Sequence, residues 1–286
     1  MAIAASKFLK RMTEQILQLA TDKQGDLTLL QMTDTHLYSE PDGELLGVNT
    51  RDSFLAVMEA VLAQSQQYQA VLATGDISQD HTEASYRVFT EQAKKLSAPC
   101  FWLPGNHDFQ PALQTEFAAA GISACKHIIS EYWQLVLLDT QVVGVPHGQV
   151  SEQQLGFLKR ALGQYPDKHA LVLLHHHSVP AGCAWLDQHS LKNADDLFAV
   201  LAQHDNANTL LCGHIHQTMD KQYQGVRLLA TPSTCIQFKP NSDDFALDQQ
   251  EPGWRYLTLK ANGEVDTQVH RLIDAGFVPD ANATGY

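Results

Sequence analysis

Five short apolar segments of this sequence each end in side chains that can bind a metal ion. Near-continuous apolar runs such as Leu27–Met32 and Ala70–Ala73 are typical of strands that are buried on both faces. In open α/β sheets, ligands bind beyond the carboxyl ends of the strands. We therefore expect the polar residues that follow the five runs to meet at one edge of a sheet. These residues are Asp34 and His36, Asp76, Asn106 and His107, His176, and His214 and His216.

Helical segments separate the first three predicted strands. Asn49 and Thr82 are favourable N-cap residues, and each precedes apolar residues at helical spacing. This alternation predicts βαβ units with right-handed crossovers. Residues 126–138 are predicted to form a hairpin, and the strands from Tyr223 onward are expected to be antiparallel. The long loop from Ser178 to Asp195 is typical of a lid or a binding loop.

Composition and charge exclude several classes of function. The formal net charge is −13, and no strong cluster of lysine and arginine is present, so nucleic acid would be repelled. The longest apolar stretches are too short to span a bilayer, so no membrane association is expected. Five cysteines without a Cys-x-x-Cys spacing are typical of a reducing compartment. We therefore expect a cytoplasmic protein without disulfides.

The residue types of the cluster suit a site for two divalent cations. Asp34 and His36, like His214 and His216, are two residues apart, which in extended backbone places both side chains on one face. The seven or eight nitrogen and oxygen ligands are too many for one ion. Mixed carboxylate, imidazole and amide ligands without thiolate suit manganese, iron, zinc or cobalt. A carboxylate shared by two ions would hold them about 3.5–4 Å apart, as in-line displacement at phosphorus requires.

The order of these motifs resembles that of the calcineurin-like metallophosphoesterases. The chain carries, in order, Asp-x-His, Gly-Asp, Gly-Asn-His-Asp, His and Gly-His-x-His. The flanking Pro-Gly-Asn-His-Asp-Phe-Gln-Pro, Gly-Val-Pro-His-Gly and Ala-Thr-Pro-Ser-Thr-Cys are similar to those of the class III bacterial 3',5'-cyclic AMP phosphodiesterases. The resemblance covers roughly residues 25–286. It implies that the chain is a metal-dependent hydrolase that converts 3',5'-cyclic AMP to 5'-AMP.

The resemblance also implies the fold, a four-layer αββα sandwich of two mixed sheets flanked by helices. The expected domain spans residues 25–272, between an N-terminal extension over 1–24 and a C-terminal tail over 273–286. Apolar residues at roughly helical spacing predict a small amphipathic segment in the extension. They are Phe8, Leu9, Met12, Ile16 and Leu19.

The resemblance implies which residues of the cluster bind each of two divalent ions. Iron and manganese are expected first, with zinc or cobalt as alternatives. The resemblance gives the first ion Asp34, His36, Asp76 and His216. It gives the second ion Asp76, Asn106, His176 and His214, so that Asp76 bridges the two.

The first histidine ligand of the second ion belongs to a run of three consecutive histidines, His175, His176 and His177. The His-His-Pro pattern of the family maps onto His176 and His177, with Ser178 at the position of the proline, and the first of the pair is the ligand. Alternation along the strand is then expected to turn His175 and His177 the opposite way.

His107 is implied to be the catalytic residue that binds no metal. The resemblance places the substrate phosphate against His107 and four of the ligands, His36, Asp76, Asn106 and His216. Two cations lower the pKa of a bridging water, so that hydroxide can attack phosphorus in line. His107 would then protonate the leaving ribose oxygen. A carboxylate could orient His107, and the sequence leaves both Asp80 and Asp108 as candidates.

Several alternatives stay open at the level of the sequence. Another metal-dependent phosphodiesterase or a phosphomonoesterase would carry the same ligands, and so would a non-catalytic metal-binding scaffold. Trp185 and Phe238 could stack on a purine or could anchor their loops, and His147 could reach the substrate or face solvent. The expected partner is the small molecule cyclic AMP, bound by a monomer or a homodimer, with neither nucleic acid nor membrane involved.

Overall fold

Two sheets packed face to face form the body of the protein. The computed structural model describes residues 15–280, 283 and 285. The strands of the larger sheet are β1 Ile16–Gln18, β7 His127–Ile129, β8 Trp133–Leu137, β9 His169–Leu173, β10 Thr209–Cys212, β11 Met219–Tyr223 and β12 Val226–Ala230. Their order is β1-β7-β8-β9-β10-β12-β11, and β8, β9, β10 and β12 run parallel.

The smaller sheet has five strands, and these are β2 Leu27–Met32, β5 Ala70–Ala73, β6 Cys100–Trp102, β15 Gly253–Leu259 and β16 Val265–Arg271. Their order is β16-β15-β2-β5-β6, with β2, β5 and β6 parallel and β15 antiparallel to both of its neighbours. Two short antiparallel pairs complete the strands: β3 Glu44–Leu45 with β4 Val48–Asn49, and β13 Gln237–Phe238 with β14 Leu247–Asp248.

The helices cover the outer faces of the sheets. They are α1 Thr50–Ala63, α2 Glu83–Ala93, α3 Gln110–Ala119, α4 Glu152–Gln164, α5 Ala184–Asp187 and α6 Ala194–Leu201. The predicted N-caps are confirmed, because the side chains of Asn49 and Thr82 accept hydrogen bonds from the backbone N–H groups of Asp52 and Ser85. Within the described part of the chain, no helix combines the length and the apolar character needed to cross a membrane.

Alternation of side chains along the strands produces three apolar layers. In β2, Leu27 and Leu29 pack between the two sheets, whereas Leu30 and Met32 pack against α1, α2 and α3. The larger sheet alternates in the same way, with Leu171 of β9 in the layer between the sheets and α4 and α6 over the outer layer. The sequence of layers confirms the predicted αββα sandwich of two mixed sheets.

The layer between the sheets becomes polar toward the carboxyl end of β2. Gln31 donates through Nε2 to the carbonyl oxygen of Cys212 in β10 at 3.1 Å. Arg255 of β15, which is 2% exposed, donates to the carbonyl oxygen of Ala230 at 2.7 Å and to Oγ1 of Thr231 at 2.9 Å. These buried hydrogen bonds join the two sheets directly beneath the loops that follow their strands.

Two expectations about the chain direction and the N-terminal extension are corrected. The strand β12 is antiparallel to β11, as expected for the strands from Tyr223 onward, but on its other side it pairs parallel with β10. Residues Ile16–Gln18 form a strand parallel to β7 instead of a helix. Phe8, Leu9 and Met12 lie outside the described residues. The domain boundaries after residues 24 and 272 stay predictions.

Candidate metal centre

Loops at the carboxyl ends of strands from both sheets meet at one end of the sandwich. They bring together side chains that could hold a metal ion, and the donor atoms of these side chains lie within 4.8 Å of one another in groups of three. These side chains are Asp34, His36, Asp76, His107, His175, His176, His214 and His216. Asn106 joins them, with its Oδ1 3.2 Å from Nε2 of His175. Asp34, His36, Asp76 and His175 each belong to two of the groups, so the groups overlap at these four residues.

The backbone of the cluster is left-handed at five of the predicted ligands. Asp34, His36, Asp76, His214 and His216 have φ angles between 45° and 67°. Such angles cost about 1–3 kcal/mol each outside glycine, and they cluster at functional sites. The expectation that the paired residues converge through extended backbone is therefore wrong. Turns just beyond the strand ends aim these side chains at a common centre.

Two glycines permit the close approach of these turns. A Cβ atom on Gly105 would lie 2.1 Å from Oδ1 of Asp76, and one on Gly213 would lie 2.1 Å from Oγ1 of Thr33. Both positions therefore exclude any larger residue unless the turns move apart. Backbone hydrogen bonds join the turns as well, since the N–H of His36 donates to the carbonyl oxygen of Asp76 at 3.0 Å.

In one half of the cluster, two tilted imidazole rings point their Nε2 atoms at each other. The Nε2 atoms of His36 and His216 are 3.2 Å apart, and Oδ1 of Asp34 lies 3.3 Å from Nε2 of His216. The opposite ring nitrogens are held from behind, because Nδ1 of His36 lies 2.7 Å from Oε1 of Gln79 and Nδ1 of His216 lies 2.9 Å from the carbonyl oxygen of Ile236. Such outer contacts orient metal-binding histidines.

The other half of the cluster includes His175, which was expected to point away. Its Nε2 lies 3.1 Å from Oδ2 of Asp76, and its Nδ1 lies 2.8 Å from the carbonyl oxygen of Thr74. The expectation fails because β9 ends at Leu173, so strand alternation does not extend to the histidines. His177 does turn elsewhere, with Nε2 3.2 Å from Oδ1 of Asp187.

Four buried imidazole nitrogens of the described residues lack a hydrogen-bond partner, and two of the four belong to the cluster. These two are the Nε2 atoms of His176 and His214. Nδ1 of His176 lies 2.7 Å from Oγ1 of Thr140, which orients the ring. Because buried polar atoms are normally paired, the two nitrogens have the environment expected of metal ligands. The donor atoms of His175, His176 and His214 lie close enough to share one ion.

Burial and charge set the protonation of the cluster. Burial lowers the pKa of His36 to about 3 and holds the pKa values of His176 and His214 well below the usual range. Burial disfavours the charged form of His175 too, but the carboxylates of Asp76 and Asp34 outweigh it and raise the pKa of His175 to about 9. Neutral imidazoles beside carboxylates are the donors that borderline divalent cations bind.

His107 stands at the edge of the cluster, on the wall of a cleft. Its backbone N–H donates to Oδ1 of Asp76 at 2.8 Å, and its ring packs edge-on against that of His36 at 5.1 Å. Burial lowers the pKa of His107. The cleft has a volume of about 470 Å³, and its lining includes Asp76, Asn106, His107, Pro146, Trp185 and Phe238.

The two aspartates proposed to orient His107 are engaged in loop contacts. Asp108 is buried, and its oxygens accept hydrogen bonds from the backbone N–H groups of Ile77, Ser78 and Gly105 at 2.9–3.2 Å. Asp80 accepts hydrogen bonds from the N–H of Ser39 and from Thr82. Both aspartates therefore organise the turns of the centre.

The two aromatic residues that could either stack on a purine or anchor their loops, Phe238 and Trp185, occupy different positions. The ring of Phe238 is buried and stacks on that of His216 at 4.3 Å, so it supports a predicted ligand. Trp185 is half-buried and lines the cleft. The cleft is also lined by His81 and His189, which the sequence motifs do not mark.

Comparisons with known proteins agree with this geometry. Residues 27–218 match the calcineurin-like phosphoesterase family. The chain is 52% identical to the 3',5'-cyclic adenosine monophosphate phosphodiesterase CpdA of Escherichia coli (strain K12), over 96% of this chain and 100% of that protein. It is 49% identical to the protein of the same name from Vibrio vulnificus (strain CMCP6), over 93% of this chain and 97% of that protein. A crystal structure of a dimetal phosphatase from Danio rerio has the same fold, with a TM-score of 0.63 and 18% identity over 84% of this chain and 98% of that one.

Replacing Asp108 with alanine would leave three buried backbone N–H groups without their acceptor. We expect the free energy of unfolding to fall by about 3 kcal/mol, since three hydrogen bonds to a buried carboxyl group are lost. Urea denaturation of the metal-free protein measures the change. Asp220→Ala, which removes a half-exposed carboxylate from a surface ion pair, is the matched control and should cost less than about 1 kcal/mol. Equal effects of the two substitutions would contradict the role of Asp108 in joining the turns.

Proposed function

The chain belongs to the calcineurin-like phosphoesterase family, and from this premise we propose that it hydrolyses 3',5'-cyclic AMP to 5'-AMP at the candidate metal centre. The observation that carries the proposal is the position of Asp76, whose carboxylate belongs to two metal-binding groups at the floor of a cleft. The named relatives, matched over nearly their full length, are 3',5'-cyclic AMP phosphodiesterases, which supports the choice of substrate.

The donor set fits two divalent cations, because it combines neutral buried imidazoles, two carboxylates and buried nitrogens without partners. Iron and manganese are the proposed ions, with zinc and cobalt as alternatives. When bound, two such cations make water nucleophilic near neutral pH and neutralise charge that develops on the phosphate oxygens. The first would be held by Asp34, His36, Asp76 and His216.

The second cation would be held by Asp76, Asn106, His214 and a histidine from the run of three. His175 is the stronger candidate, because its Nε2 already contacts Asp76 and Asn106. His176, the residue assigned from the sequence, presents a buried Nε2 to the same group and is the alternative.

His107 is proposed to supply the proton that the leaving group needs. In the reaction, a new bond forms between phosphorus and the oxygen of water, and the bond between phosphorus and O3' of the ribose breaks. The imidazolium of His107 transfers its proton to O3' and is reprotonated from solvent. The hydrogen bond from its backbone N–H to Asp76 holds His107 beside the centre.

The substrate phosphate is proposed to lie at the floor of the cleft. Asp76, Asn106 and His107 line that floor, and the rings of His36 and His216 are buried directly beneath it. A phosphate in this position would contact Asp76, Asn106 and His107, which are three of the five residues that the resemblance implies for substrate binding. The other two, His36 and His216, lie behind the lining residues His107 and Phe238.

A metal-reconstituted substrate panel tests the proposed function. After removal of metals with EDTA and addition of Mn²⁺, kcat/KM is measured for 3',5'-cyclic AMP, bis(p-nitrophenyl) phosphate and p-nitrophenyl phosphate. We expect the highest value for cyclic AMP and loss of activity after renewed chelation. A preference for p-nitrophenyl phosphate would identify a phosphomonoesterase instead. Binding of Mn²⁺ without turnover of any substrate would identify a non-catalytic scaffold.

Replacing His107 with alanine separates proton transfer from metal binding. We expect kcat for cyclic AMP to fall by about 10²–10⁴-fold, which is the usual contribution of general acid catalysis. Metal analysis should still find two ions per chain, whereas Asp76→Ala, the matched variant at the proposed bridge, should lose both. Unchanged turnover in His107→Ala would contradict the role of His107 as the acid.

Alanine substitutions at His175 and His176 identify the ligand in the run of three histidines. We expect His175→Ala to bind about one ion per chain, because it removes the nitrogen nearest to Asp76 and Asn106. Metal analysis after dialysis against Mn²⁺ gives the stoichiometry. Two ions in His175→Ala together with loss of one in His176→Ala would restore the assignment made from the sequence.

A further inference from the structure

The cleft above the centre has an apolar side that phosphate chemistry does not use. Trp185 and Leu186 of α5 line one wall, and Val145 and Pro146 belong to the loop that lines the other. The cleft is within the size range of pockets for small organic ligands. The part of the lining formed by Asp76, Asn106 and His107 is polar, and the two walls are apolar. The two parts therefore suit a polar and an apolar portion of one ligand.

Trp185 is supported in its position by other aromatic rings. It packs edge-on against Phe238 at 5.0 Å and against Phe245 at 5.1 Å. Phe238 in turn stacks on the ring of His216. The indole is therefore connected to the metal centre by direct ring contacts, while part of its own surface stays open to the cleft.

Hydrogen bonds within the chain hold both walls in place. The carboxylate of Asp187, at the end of α5, accepts hydrogen bonds from the backbone N–H groups of Ala181 and Gly182 at 2.6 and 3.2 Å. The N–H of Lys192 donates to the carbonyl oxygen of Gly148 at 2.8 Å, which ties the segment after α5 to the loop of the opposite wall. The apolar part of the cleft is thus preformed, which reduces the entropy lost on binding.

We infer that this apolar side is the nucleobase subsite, with Trp185 as the surface on which the base stacks. The inference rests on the proposed function, because it takes the phosphate of the nucleotide to lie at the floor of the cleft. A flat aromatic base stacks favourably on an indole whatever its hydrogen-bonding pattern. The subsite therefore favours nucleoside cyclic phosphates over phosphodiesters without a base.

Tryptophan fluorescence tests the subsite without relying on turnover. The chain has four tryptophans, and Trp102, Trp133 and Trp254 are at most 4% exposed in the apolar layers. Adding 5'-AMP to the Mn²⁺-reconstituted protein should quench the emission, and inorganic phosphate should not. Trp185→Phe should abolish the response. No quenching in the wild-type protein, or equal quenching in Trp185→Phe, would overturn the inference.

Kinetics with a substrate that lacks the base provide the second test. For Trp185→Ala we expect kcat/KM for 3',5'-cyclic AMP to fall about tenfold, the usual effect of losing one stacking contact. The value for methyl riboside 3',5'-cyclic phosphate should stay within about twofold, and Trp185→Phe should retain most activity toward cyclic AMP. Tyr132→Ala, at a half-exposed aromatic on the hairpin between β7 and β8, is the matched control and should match the wild-type protein.

The two proposals fail in different ways. Equal losses on both cyclic phosphates in Trp185→Ala, or no loss on either, would overturn the subsite while leaving cyclic AMP hydrolysis intact. Absence of cyclic AMP turnover in the wild-type protein would overturn the proposed function, and the fluorescence response to 5'-AMP would still decide whether a base binds at Trp185.

Discussion

The carboxylate of Asp76 contacts residues from both sheets. Its Oδ1 accepts a hydrogen bond from the backbone N–H of His107 at 2.8 Å, and its Oδ2 lies 3.1 Å from Nε2 of His175. His107 follows a strand of the smaller sheet and His175 follows a strand of the larger one. The contact therefore exists only while the two sheets keep their relative position. It also requires a left-handed φ at Asp76 and the absence of a side chain at Gly105. The strain at Asp76 persists because its neighbours determine its position.

The relative position of the sheets is set just below the centre. Gln31 and Arg255 extend from the smaller sheet and donate to carbonyl oxygens of Cys212 and Ala230 in the larger one. Cys212 is the last residue of β10, so the same contact positions the turn that carries His214. The N–H of His214 in turn donates to the carboxylate of Asp34 at 3.1 Å. Hydrogen bonds are directional, so they fix the position of one sheet relative to the other. The apolar contacts between the sheets are not directional and cannot do this alone.

Local patterns in the sequence were sufficient for most strands of the two sheets and for the N-caps, but they predicted neither β1 nor β11. Contacts between distant segments were not predictable in this way. Asp108 stands beside His107 in the sequence, yet its acceptor role involves Ile77 and Ser78, which are 31 and 30 residues away. The helix α3 was not predicted, because its N-cap, Phe109, makes no side-chain capping hydrogen bond and Pro111 in its first turn is the remaining local sign of a helix start.

The charges of the centre explain how an acidic protein can accept an anionic substrate. Asp34 and Asp76 are buried, and every ion pair recorded for them among the described residues is with a histidine. Burial keeps the pKa of His36 low, so that this ring offsets none of the negative charge, whereas His175, whose pKa is raised to about 9, offsets one of the two charges and leaves the other. Buried charge without compensation is costly, and divalent cations would relieve it and reverse the local sign. The carboxylates that would repel cyclic AMP from a metal-free centre are therefore the groups that we propose to recruit the cations able to attract it.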